Sequence, residues 1–365
     1  MNDVEPLPPL SPVPTPARAP QPPERFEFTG SGGEYFRIWI VNLLLTLLTF
    51  GIYSAWAKVR RMQYFYRHTR VAGSSFDYHG QPLAILKGRL IALGLFLCYS
   101  LSTEFAPLLA LPVIIGLGLL LPWLLRSAFR FRLHNSSWRG LRFSFRGKLG
   151  ESYVVFLLLG TLGIFTGFLW PLFHSRMKKY QHGNSWFGAT QASFHATDGQ
   201  FYGVYVRASL LSLAAFVVVI LLMVMGASSL RELVPEGEDA AEKIGVAIAI
   251  AVFITLFLVW FLLAPYLMAR LQNLIWSNTR LGEHRFLSEV PAGRLTWVML
   301  GNLVAVILTL GLFMPWAAVR LARVRIEYMS LLPAGNLDEF VADQQQSVQA
   351  LGEESAEVFD LDIGL

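Results

Sequence analysis

Hydrophobic positions along this chain gather into seven long blocks, near residues 35–57, 83–103, 107–125, 151–173, 204–226, 244–264 and 296–318. Each block is roughly 17–25 residues, close to what a helix needs to cross about 30 Å of hydrocarbon, and each predicts a membrane helix. Tryptophan and tyrosine mark the block ends, among them Trp39, Trp56, Trp123, Trp170, Trp260 and Trp316, where amphipathic rings settle at headgroup level. Between blocks the pattern changes. A small polar residue is followed four positions later by glycine at Thr69–Gly73, Ser136–Gly140, Asn184–Gly188 and Asn278–Gly282, which is a turn signal. Phe76-Asp77-Tyr78 and Phe143-Ser144-Phe145 then alternate like a short strand or interfacial ribbon, ending at Gly80 and Gly147.

The blocks repeat. Asn42, Leu43, Thr49, Gly51, Trp56, Val59 and Arg60 recur at the same spacing as Asn302, Leu303, Thr309, Gly311, Trp316, Val319 and Arg320. The fourth block resembles these less closely: Gly147, Gly150 and Glu151 stand where the first has Gly30, Gly33 and Glu34. This predicts a Pro-rich disordered arm (1–25), a first membrane repeat (26–148), a second (149–294), a terminal half-repeat (295–332) and an acidic disordered tail (333–365). A few apolar residues in that tail would allow a weak amphipathic helix against a partner. The expected fold is an all-α polytopic membrane protein whose unit is one re-entrant or transmembrane block plus a transmembrane hairpin. Threonine-glycine breaks near Thr49-Phe50-Gly51, Thr161-Leu162-Gly163 and Thr309-Leu310-Gly311 favour four crossings plus three re-entrant blocks, with seven crossings as the alternative.

Composition agrees with a membrane chain. Of 365 residues, 54% are hydrophobic and only 15% charged, with a mean hydropathy of +0.47, which excludes a soluble two-domain enzyme. Cys98, the single cysteine, cannot form an intrachain disulfide. The net charge is +5, yet residues 333–365 hold eight acidic and no basic residues, so the membrane part is strongly basic. The connectors at 58–82 and 126–150 net +4 and +7, whereas 227–243 nets −3 through Glu232, Glu236, Glu238, Asp239 and Glu242. Basic connectors belong on the cytoplasmic side and beside anionic headgroups, so the expected partners are the lipid bilayer and anionic phospholipids, with homo-oligomers allowed and nucleic acid excluded.

The run Gly30 to Phe36, then Trp39, Asn42, Thr46, Gly51 to Arg60, Tyr64 to Tyr66, Thr69, Gly73 and Phe76 to Gly80, resembles the YjgN family of bacterial inner-membrane proteins. With the repeats, the resemblance covers roughly residues 26–332. It implies a multi-pass protein of the bacterial cytoplasmic membrane and brings no catalytic residue with it.

Candidate chemistry is sparse. No hydrolase, phosphate-loop or metalloprotease motif occurs, so no enzyme, cofactor or metal is expected. The seven histidines (His68, His79, His134, His174, His182, His195, His284) all fall in basic connectors, and His174, His182 and His195 are the least poor metal set. Glu34, Arg37 and Glu151 lie at block entrances, where they serve either helix-end electrostatics or an ion path. Asn42 and Asn302 could line a polar path or hydrogen-bond a neighbouring helix. Lys58, Arg60, Arg61, Arg126, Arg130, Arg132, Arg176, Lys178, Lys179 and Arg320 are candidate anionic-lipid contacts. The functional expectation is an integral membrane protein forming a small-solute or ion pathway. Its alternatives are a scaffold that recruits partners through its tails and basic loops, and a lipid-modifying enzyme.

Overall fold

The computed structural model describes residues 21–233 and 240–361. Most of the Pro-rich arm, the acidic residues Glu236, Glu238 and Asp239, and the last four residues lie outside the described residues.

Five helix pairs form the body. They are α1 (Gly32–Leu48) with α2 (Ser54–Arg67), α3 (Pro82–Phe105) with α4 (Pro107–His134), and a third pair whose first arm runs α5 (Leu149–Ser152), a π-helical stretch (Tyr153–Leu159) and α6 (Gly160–Thr166) before α7 (Trp170–Gly183). The fourth pair is α8 (Asp198–Leu233) with α9 (Ala240–Ser277), and the fifth is α10 (Ala292–Leu308) with α11 (Met314–Glu327). Each pair packs on the next, and α11 packs on α1, so the pairs close a ring. Three pairs are short and turn back on one device. Thr49 Oγ1 donates to Leu45 O at 2.7 Å and accepts from Tyr53 N at 2.9 Å, and Thr309 does the same between Ala305 and Phe313. Phe50 and Gly51 (φ +47° and +91°), like Leu310 and Gly311 (+50° and +93°), take left-handed backbone to complete the reversal. In the third pair the reversal falls at Thr166 and Gly167, four residues beyond the expected Thr161-Leu162-Gly163.

After every pair the chain makes strands: β3 (Thr69–Val71) with β4 (Ser74–Tyr78), β5 (Ser136–Trp138) with β6 (Leu141–Phe145), β7 (Ser185–Phe187) with β8 (Thr190–Phe194), and β9 (Thr279–Leu281) with β10 (His284–Ser288). The fifth place is filled by β11 (Met329–Leu332), β1 (Glu24–Arg25) and β2 (Glu27–Phe28). Two-residue loops join the hairpins, and Ala72-Gly73 and Arg139-Gly140 both have positive φ, as turns that match strand twist require. The strands pair antiparallel in the order β1-β11-β10-β9-β8-β7-β6-β5-β4-β3-β2. Because only Phe26 separates β1 from β2, and its N–H donates to Met329 O at 3.0 Å, this eleven-stranded sheet is a nearly closed barrel.

The all-α expectation is therefore corrected, in both its four-crossing and seven-crossing forms. The connectors build a nearly closed, barrel-like sheet, and among the described residues five helical segments are long and apolar enough to cross a membrane: Pro82–Phe105, Pro107–His134, Leu149–Thr166, Asp198–Leu221 and Ala249–Ser277. The strands are too short, at two to five residues, to register against the neighbouring helical signal. They gain stability only by pairing between repeats and closing the edge that a lone ribbon would expose.

The last aromatic of β2, β4 and β6 (Phe28, Tyr78, Phe145) buries itself in the base of a helix pair. A Cβ on Gly30, Gly80 or Gly147 would lie within 2.8 Å of that ring, which is why glycine follows two positions later. The aromatic two residues earlier faces the barrel interior, where Phe26 stacks near Phe76 (6.3 Å between centroids) and Phe76 near Phe143 (6.4 Å). The acidic segment carries α12 (Leu337–Leu361). Its first turns bring Leu337 and Val341 into the same cluster as Phe26, Trp138 and Phe187, so an amphipathic face fills the barrel mouth.

Candidate functional site

Beneath the barrel, where the helix ring meets the strands, lies a chamber of about 590 Å³. Its ceiling is Phe76, Phe143, Phe286 and Trp276. Its wall is made by the second helix of each pair, the arm that runs into the strands. Successive turns of such a helix put residues three to four apart on one face. Four residues before the strand this face carries Arg132, Gln181, Ile275 and Arg325, and seven before it Phe129, Lys178 and Gln272, all of which line the chamber.

The polar groups are held in pairs. Arg325 Nε donates to Gln272 Oε1 at 2.7 Å, and Gln272 Nε2 donates to Arg325 O at 2.7 Å. Lys178 Nζ donates to Gln181 Oε1 at 3.1 Å. Burial, and then the charges of Arg132 and Arg325, push the Lys178 ammonium below its ordinary value, and burial lowers Arg325 as well. His182 lies on the same wall, with Nδ1 3.2 Å from Thr279 Oγ1 and its ring edge-on to Trp276 at 5.4 Å. Burial and then Lys178 push its imidazole down to about 3, while the same two causes take His174 down to about 4, so both rings are neutral near pH 7. Three cations thus face one chamber whose lining contains no carboxylate. Chemically, such a wall can accept negative charge and orient it with amides.

The residues expected from sequence divide between two surfaces. Arg132 and Lys178 reach the chamber, together with Arg325, Gln181 and Gln272, which sequence reasoning missed. The signal that could have found them is their shared distance from the turn motif. Lys58, Arg60, Arg61, Arg130, Arg176, Lys179 and Arg320 are exposed and do not line it. Arg60 joins Arg37 in a groove between α1 and α2. Arg176 pairs with Asp198 at 2.6 Å, and Arg126 donates to Gly147 O at 2.7 Å. Glu34 sits in the first turn of α1, where its N–H meets Ser31 Oγ and its carboxylate accepts from Tyr64 at 3.3 Å. Glu151 occupies the first turn of α5 and is exposed. Asn42 and Asn302 are buried on α1 and α10. Asn302 Nδ2 donates to Ala317 O at 3.1 Å, and the side-chain oxygen of each has no partner. Neither lines the chamber. Among the described residues no group of three or more His, Cys, Asp or Glu could hold a metal ion. His195 meets Ser193 at 2.9 Å, apart from His174, which bonds Tyr205.

Residues 23–358 match the family described as bacterial protein of unknown function, DUF898. The chain belongs to this family. It is 30% identical over 139 residues to the inner membrane protein YjgN of Escherichia coli O157:H7, a match covering 38% of this chain and 35% of that one. It is also 32% identical over 145 residues to YjgN of strain K12, again covering 38% and 35%, and 28% identical over 127 residues to that of Salmonella typhimurium, covering 34% and 32%. The matched region thus spans about a third of the length of these relatives. No solved structure matches. With its apolar helices, the chain is a multi-pass protein of the bacterial inner membrane.

Proposed function

We propose that the chain is a non-enzymatic passage for a small solute or ion, with the chamber as its holding site and the barrel, closed by α12, as its inner vestibule. The observation that carries this reading is the chamber itself: five helix pairs surround a space of about 590 Å³ walled by amides, cations and aromatic rings where the helix ring meets the strands. A space of that size with a few convergent polar groups is the usual form of a small-molecule site. The exposed cations Lys58, Arg60, Arg61, Lys179 and Arg320 support a second reading, in which the outer rim of the ring holds anionic phospholipid.

The test is flux through proteoliposomes of phosphatidylcholine carrying either the full chain or a chain ending at residue 332. Rubidium, phosphate and glycerol are the probes. Saturable flux that falls at least tenfold when Gln272→Trp fills the chamber is expected. If no probe passes faster than through empty liposomes in either form, the passage reading is wrong.

A further inference from the structure

The geometry points to the chamber being an oxyanion site, in which Arg132, Lys178 and Arg325 together hold a phosphate- or carboxylate-bearing ligand and Gln181 and Gln272 orient the last two cations. This rests on the chamber reading above and names its ligand class.

Three observations converge. The cations come from three different helices, α4, α7 and α11, and each stands four or seven residues before its strand, so the repeat itself aims them at one space. At these two positions the five repeats carry three cations, two glutamines and no carboxylate. Four described arginines pair with acids, Arg67 with Asp77, Arg139 with Asp338, Arg176 with Asp198 and Arg323 with Glu327, whereas Arg126 and Arg294 meet a backbone carbonyl and a tyrosine hydroxyl. In the chamber none of the three has a carboxylate partner among the described residues, and Lys178 and Arg325 meet side-chain amide oxygens of the same wall.

Lys178 is half-buried, and Arg132 and Arg325 are exposed at the chamber wall; like charges facing one space repel, and an anion entering between them removes that cost. Arginine adds a planar fork suited to two oxygens of one phosphate or carboxylate. The aromatic ceiling of Phe76, Phe286 and Trp276 leaves an apolar surface above the charges, so the ligand has room for an organic part. A free phosphate and the headgroup of an acidic phospholipid share this chemistry.

The experiment uses the full chain in neutral detergent at fixed 150 mM ionic strength. Intrinsic tryptophan emission, to which Trp276 and Trp186 at the chamber contribute, is titrated with inorganic phosphate, with dihexanoyl phosphatidic acid and with dihexanoyl phosphatidylcholine. Saturable binding of phosphate or phosphatidic acid is expected, weakened at least tenfold in K178Q/R325Q and unchanged in the control R70Q/R285Q, whose arginines are exposed on β3 and β10 and do not line the chamber. A phosphate response assigns a free anion, and a response to phosphatidic acid alone assigns a headgroup. Should the double variant not fold, K178Q alone decides through melting. Relief of repulsion should raise its Tm without ligand and abolish the rise that anion gives the wild type.

The proposal is overturned if neither anion binds, if phosphatidylcholine binds equally well, if K178Q/R325Q binds as tightly as wild type, or if R70Q/R285Q loses as much. Anion binding failing while rubidium or glycerol still passes through proteoliposomes would remove the ligand class and leave the passage standing.

Discussion

Phe340 of α12 stacks on Phe187, whose side chain is completely buried in the barrel, with 6.1 Å between centroids and 25° between planes. Four residues on, buried Gln344 offers its side-chain oxygen to the N–H of Ala189 at 2.9 Å, at the tip of the β7–β8 hairpin. One face of α12 therefore reads both the interior and the rim of the barrel. Replacing Phe340 by alanine removes ring contacts from a partly buried site and should loosen α12 by about 1–3 kcal/mol. The measure is protease cleavage after residue 340 in detergent, faster in F340A. Equal cleavage in F340A and wild type would mean that the stack does not hold the helix.

The docking of α12 should also depend on pH. His284 is buried, receives the N–H of Ala334 on Nδ1 at 3.2 Å, and meets Phe340 edge-on at 4.5 Å. A ring nitrogen that accepts a hydrogen bond must be unprotonated. Burial pushes the imidazole below its ordinary value, and the neighbouring carboxylate of Glu283 opposes this to a smaller degree. Because the folded value is the lower one, the released state binds more protons. Docking is complete above the ordinary histidine value and is lost as pH falls through the depressed one. A fluorophore on Gln345→Cys, in a C98S background, should report increasing mobility between pH 8 and pH 5, and H284Q should flatten that dependence.

Much of the membrane part was readable, and the reason is physical. A lipid-facing helix needs an unbroken apolar stretch, and a reversal inside one needs a threonine and a glycine, so Thr49-Gly51 and Thr309-Gly311 stand out in the chain and do turn it back. The barrel was hidden because pairing is non-local. Phe76 pairs with Trp138 across a whole helix pair, and β1 finds β11 from the far end of the chain. Phe76-Asp77-Tyr78 betrayed a ribbon, but nothing local says that five such ribbons meet. The candidate cations were found by charge alone, which ranks Lys58 and Lys178 equally. Only the ring geometry turns Lys178 toward the chamber, and it brings in Arg325, one helical turn nearer its strand on the corresponding helix face.

Ring closure depends on one glycine. A Cβ on Gly32 would stand 2.1 Å from Cδ1 of Trp316, the indole that packs on Phe36 at 4.8 Å and joins the fifth helix pair to the first. At the next position, Gly33, a Cβ would meet nothing within 4 Å. G32A must displace the indole and should cost about 1–3 kcal/mol as an overpacking change. G33A should be neutral or stabilise the helix by up to about 1 kcal/mol, since alanine loses less backbone entropy. Thermal melts of the two variants in detergent separate them. A G33A loss equal to that of G32A would place the sensitivity in the helix start instead of the indole contact.

Because both ends of every helix pair meet the barrel, residues near those ends should share one side of the membrane. Arg60 closes in on the barrel along α2 and Arg176 along α7, whereas Thr103 lies at the far end of the α3–α4 pair, exposed and next to Glu104. The basic charge around the strands assigns the barrel side to the cytoplasm. In a C98S background, R60C and R176C should react with an impermeant maleimide only after the inner membrane is opened, and T103C should react in intact spheroplasts. The contrast matters more than either result alone, since a barrel anchoring five pairs at one face cannot present Arg60 and Arg176 to opposite compartments. Labelling of just one of those two from outside would mean that the ring of pairs does not form in the membrane.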